Sequence, residues 1–295
     1  MSNETDEALR AQIAATTRAV EYARRVANVD ESKLELLVDH LHTLSELRVN
    51  EGDFSRGESL LREAMFRIED ANSNHRLRPR PILAANVASS LGYLYDRWNK
   101  TDQARKWYSK SLEMAEAGNF FASDLGASVS NNLGMLDKKS GALASAEHHY
   151  RRSLEIFRVL KGASSVEAAA VLNNLGVLLY TQGNHGDALK AHEEALAIRQ
   201  KLHHPQTGEG FADLCQTWRN LAAVYKAQGM PEKAANLLRQ VGLADEPVES
   251  ITPNWVIKSS PLQTPTVVTL QQEKPKEPSV VRPSASDFSV EVHRN

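Results

Sequence analysis

The chain has 295 residues, with 35 lysines and arginines against 37 aspartates and glutamates, a formal charge of −2 and 41% hydrophobic residues. Near-neutrality argues against a dedicated nucleic-acid binder, which needs a basic excess to hold phosphates, and one cysteine, Cys215, excludes an intrachain disulfide or a cysteine zinc cage. No apolar run approaches the ~18 residues needed to cross a bilayer, and the opening Met-Ser-Asn-Glu-Thr-Asp-Glu lacks a secretory plan, so the expected setting is cytoplasmic, with no membrane partner.

Residues 4–28 carry apolar side chains at helical spacing (Leu9, Ile13, Ala14, Val20, Ala23, Val26), which predicts a capping helix within 1–34. From 35 to 244 the chain repeats itself. The copies read Ser45, Gly57, Ala64; then Gly92, Ala104, Ser111; Gly134, Ala146, Ser153; Gly176, Ala188, Ala195; and Ala222, Ala234, Val241. Their leading residues are 47, 42, 42 and 46 apart, and a second small residue follows each after twelve. Each copy predicts a helical hairpin; in the fourth, helices over 168–181 and 187–202 flank Gly183-Asn184. Thr101 and Asn184 are expected as N-caps and Pro231 in a first turn. The small residues are expected where the two helices of a hairpin cross closely. The predicted fold class is therefore an all-α solenoid of about five hairpins.

Between copies one and two, Arg76, Arg78 and Arg80 alternate with Pro79 and Pro81, and read as a solvated basic connector. The pairs His148-His149 and His203-His204 lack the spacing of a metal site. No nucleophile elbow, phosphate loop or paired-carboxylate motif appears, so the chain is expected to be no enzyme and to need no cofactor or metal. Residues 245–295 hold seven of the 11 prolines and the whole charge deficit, and read as an extended or disordered tail. Its apolar Trp255-Val256-Ile257 suggests that part of it contacts the array or a partner.

Asn131-Asn132-Leu133-Gly134, Asn173-Asn174-Leu175-Gly176 and the 42-residue spacing resemble tetratricopeptide repeats of the kinesin-light-chain type over roughly 35–245. The resemblance implies a right-handed superhelical solenoid in which first helices line a concave groove and second helices face outward. Groove candidates then form columns: Asn131, Asn173 and Arg219; Asn132, Asn174 and Asn220; Tyr93, Met135 and Val177; and Lys138, Tyr180 and Lys226, with Lys139 adjacent. Asparagine amides match the donors and acceptors of an extended backbone, apolar members accept side chains, and the bases favour acidic neighbours. The short array is similar to the bacterial kinesin light chains that accompany bacterial tubulins. That likeness implies a scaffold that decorates or stabilises a tubulin-like filament; an adaptor for short acidic peptides is the alternative.

Overall fold

The computed structural model describes residues 3–73, 80–203 and 210–243. The proline-rich stretch 245–295, Arg76, Arg78 and His204 lie outside the described residues. Eleven α-helices are described: α1 (Asn3–Val29), α2 (Leu34–Glu51), α3 (Phe54–Ser73), α4 (Pro81–Arg97), α5 (Thr101–Ala117), α6 (Asp124–Lys139), α7 (Leu143–Lys161), α8 (Val166–Thr181), α9 (His185–Leu202), α10 (Phe211–Ala227) and α11 (Pro231–Gln240). Helices α2 to α11 pair as five hairpins, and α1 packs on α2 as a cap, which the Arg24–Glu63 pair also ties to α3. The architecture is the expected all-α solenoid.

Every hairpin turn contains one residue with a left-handed backbone: Gly52, Asn99, Gly141, Gly183 and Gly229, with φ from 57° to 91°. Gly supplies that conformation without a Cβ clash, and Asn is the best-tolerated substitute, which explains the single exception in copy two. Asn184 caps α9 as expected, accepting the Asp187 amide, and Pro231 opens α11. Thr101 is instead the first residue of α5, behind Lys100, and makes no cap. Side-chain caps elsewhere come from Ser123 and Ser165, and Asp53 before α3 accepts the Arg56 amide at 3.1 Å.

The repeat spacing follows from packing inside each hairpin. A Cβ on Gly92 would stand 2.5 Å from the Tyr108 ring, one on Gly134 2.8 Å from Tyr150, and one on Gly176 2.7 Å from His192. The missing side chain is thus filled mainly by a ring from the second helix, sixteen residues on. Backbone approach, the expected cause, contributes at Gly134, where the Ala146 carbonyl oxygen lies 3.2 Å from the same point. Ser111 and Ser153 latch each second helix to its first, donating to the Ala85 and Ala127 carbonyls at 2.8 Å. The alanines at 64, 104, 146, 188 and 234 are fully buried between the helices.

His192 replaces the tyrosine of copies two and three and is fully buried, with neither ring nitrogen hydrogen-bonded among the described residues. Burial, reinforced by the Arg199 charge, pushes its imidazole down to about 3. The unfolded chain therefore takes up a proton at His192 that the fold refuses. The neutral ring's contribution is fully present above the ordinary histidine value and is lost as pH falls below ~6.5, up to ~1.4 kcal/mol per unit. Between pH 7 and 5 this amounts to about 2 kcal/mol, so the melting midpoint of the wild type should fall about 4–8 °C further than that of His192→Tyr. Equal falls in thermal melts of the two proteins would remove His192 as the cause.

Candidate partner-binding groove

Successive first helices approach one another along the stack, α2 to α4, α4 to α6, α6 to α8 and α8 to α10. Successive second helices do not come as close among the described residues. The stack therefore curves with the first helices inside, and the groove is built on them.

The asparagines lie beneath the groove surface. Asn131, Asn132, Asn173, Asn174 and Asn220 are at most 3% exposed. Their amides join neighbouring repeats: Asn174 Nδ2 donates to Asn131 Oδ1 at 3.0 Å, and Asn220 Nδ2 to Asn173 Oδ1 at 2.9 Å. Within copy three, Asn131 Nδ2 donates to Asn132 Oδ1 at 3.2 Å. Asn132 Nδ2 reaches back to the Tyr108 hydroxyl at 3.3 Å, so the ladder also touches the ring layer. Gln216 Nε2 donates to Asn220 Oδ1 at 3.0 Å and closes the ladder at its far end. Buried amides need such partners, because desolvation without them is costly. The ladder's direct effect is to fix the spacing and rotation of the first helices.

Other members of the columns reach the surface. Tyr93, Met135, Lys138 and Arg219 are half-buried, and Lys139 and Lys226 exposed. Met135 Sδ lies 3.9 Å from Asn131 Nδ2, at the edge of the ladder. Burial pulls the Lys138 ammonium below its ordinary value, which marks a cation partly withdrawn from water. Lys139 Nζ bridges to Asn99 Oδ1 of the preceding repeat at 2.8 Å. Asp96 shares the column with Lys138; its carboxyl is raised by burial, against the pull of Lys139 and Arg97. The central and C-terminal parts of the groove thus present a cationic strip beside apolar Met135.

At the repeat two–three junction, Arg105 of α5 pairs with buried Asp137 of α6 and donates to Ser140 Oγ at 3.1 Å. Asp137 also accepts from Ser145 and lies 3.7 Å from His149 Nε2, both on α7. Burial lowers the His149 value and Asp137 partly opposes it. This cluster carried no sequence signal, since its members fall on different registers of the repeat. Cys215 is buried in α10, and Trp107 and Trp218 pack against the core. Among the described residues, no group of three or more His, Cys, Asp or Glu side chains could hold a metal ion, and no helix is long and apolar enough to cross a membrane.

Tetratricopeptide-repeat family profiles match residues 85–117 and 127–201. No curated protein matches the sequence. The crystal structure of BtubC (BKLC) from P. vanneervenii is similar at 36% identity and a TM-score of 0.74, over 90% of this chain and 99% of that one. Kinesin-light-chain-type, nearly identical TPR-like repeats from Podosopora anserina share the fold at 16% identity and a TM-score of 0.56, over 69% and 92% of the two chains. A signal-transduction ATPase with a tetratricopeptide repeat sensor from Pyrococcus horikoshii shares it at 18% identity and a TM-score of 0.51, over 80% of this chain and 36% of that one.

Proposed function

This chain belongs to the tetratricopeptide-repeat family that includes BtubC, and on that premise we propose that it is a non-catalytic scaffold that binds and stabilises a bacterial tubulin-like filament. The observation that carries this reading is the 36% identity along nearly the whole of both chains, which spans every hairpin rather than one motif. A cytoplasmic setting goes with it, in keeping with a lone, buried cysteine.

The contact face in this reading is the groove. Lys138, Lys139, Arg219 and Lys226 supply charge for acidic groups on the filament, and Tyr93 and Met135 supply apolar contact. The asparagine ladder at 131, 132, 173, 174 and 220 fixes the spacing of the first helices, so that the bases of copies three and five are held at a set separation along the groove. A rigid, pre-spaced surface loses little entropy on binding, which favours a stack over a flexible loop for this task.

Charge reversal tests the face without disturbing the core. Lys138→Glu/Lys139→Glu/Lys226→Glu should weaken co-sedimentation with assembled bacterial tubulin filaments by about tenfold at low salt, with little change in melting. The weakening should shrink as salt rises, because exposed charges are screened. Undiminished pelleting of the triple variant would move the contact to the second helices or connectors.

A further inference from the structure

The groove side of the central helices is more closed than their neighbours in the stack explain. Helix α8 packs on α9 behind it and on α6, α7 and α10 to its sides. Its groove-facing Asn173, Asn174 and Val177 are nevertheless at most 1% exposed, whereas Met135, one repeat earlier in the Val177 column, is half-buried. Asn131, Asn132 and Asn174, with Gln216 and Arg219 on α10, also take part in interactions beyond those of the ladder. A line of further partners across α6, α8 and α10 is what a chain laid along the groove supplies.

The described residues end at Leu243, just past α11, and 52 more follow. Among these, Trp255-Val256-Ile257 and Thr266-Val267-Val268 are β-prone apolar clusters on either side of Pro261 and Pro265. Proline blocks a helix and biases the residue before it toward extended backbone. Val256 and Val268 are 12 residues apart, about 40 Å of extended chain at ~3.3 Å each. The four steps between first helices from α2 to α10 cover about 32–40 Å at ordinary helix spacings. The segment therefore matches the groove in length.

We propose that residues 255–270 lie along the groove of their own chain and occupy it until a partner displaces them. Asparagine amides pair with an extended backbone without reading its sequence, and alternate side chains of such a segment share one face. The apolar ones meet Met135 and Val177. Tethering supplies an effective concentration on the order of millimolar, so modest contacts suffice. Lys258 is the one charged residue of the segment, which brings no carboxylate to Lys138, Lys139 and Lys226. An acidic partner has that advantage and displaces the segment by charge. This regulatory consequence rests on the groove being the face that meets the filament; the docking of the segment does not.

The test uses the full chain with labelled methionine and valine methyl groups and a nitroxide at Gln263→Cys, Cys215 being buried in α10. The Met135 and Val177 methyl signals should be lost, while exposed Val159 near the end of α7 keeps its signal. Val256→Asp/Val268→Asp should restore both signals. Signals kept in the wild type, or a loss that survives the double substitution, would overturn the proposal. A loss that disappears on dilution would also overturn it, by assigning the occupant to a second copy. No filament enters that experiment, so a loss reversed by the substitutions upholds the docked segment even where the wild type fails to pellet. With filaments, Val256→Asp/Val268→Asp should pellet about fivefold more tightly than the wild type. Equal pelleting of the two overturns the competition between segment and filament.

Discussion

Tyr150→Ala is expected to destabilise the array by about 3–5 kcal/mol, lowering the melting midpoint by ~10 °C or more. The ring is fully buried and occupies the space opposite Gly134, so its removal opens a cavity that the flanking helices cannot close without losing the α6–α7 crossing. The hydroxyl adds nothing to this cost. It has no hydrogen-bond partner among the described residues, and burial pushes its value well above the ordinary tyrosine range. Tyr150→Phe should accordingly be neutral or slightly stabilising. Tyr108→Phe differs, because it removes the acceptor of Asn132 Nδ2 and should cost about 1 kcal/mol. Thermal melts of the three variants separate ring from hydroxyl; equal losses in Tyr150→Ala and Tyr150→Phe would contradict the packing account.

The second large effect is expected at Asp137. Its carboxylate is almost wholly buried and joins three helices of two repeats through Arg105, Ser145 and His149. Asp137→Ala leaves those donors facing an empty site. Breaking a fully buried pair costs about 3–5 kcal/mol; Arg105 is partly exposed, which reduces the figure to about 2–3. Stacked repeats are stable through nearest-neighbour interfaces, so a weakened junction should also uncouple the array. Urea unfolding of Asp137→Ala should resolve into two transitions, with copies one and two separating from copies three to five. A single transition shifted without broadening would show that the cluster stabilises copy three alone.

The hairpins were legible in the sequence because small residues recur at fixed intervals, and turns recur where glycine or Asn99 adopts a left-handed backbone. The reason for the glycines was less visible. Their partner changes identity from Tyr108 and Tyr150 to His192, so the ring column does not read as a repeat until the contacts are seen. The ladder's pairing was present as spacing, since 43 residues separate Asn131 from Asn174 and 47 separate Asn173 from Asn220. What spacing could not convey is depth. The first asparagine of one doublet meets the second of the next, and this pairing draws both amides below the surface. Thr101 shows the limit of cap rules, because a one-residue offset of the helix start leaves its hydroxyl without the amide it was expected to bond.

The central claim is that the groove of first helices faces a tubulin-like filament. Lysine footprinting tests it most directly: the full chain is acetylated free and on assembled bacterial tubulin filaments, and modification is read at each lysine by mass spectrometry. Lys138, Lys139 and Lys226 on the groove should be protected on the filament, while Lys110 and Lys190 on the second helices α5 and α9 keep their free reactivity. Protection of Lys110 and Lys190 with the groove lysines unchanged, or protein that stays in the supernatant at micromolar concentration, would contradict the account.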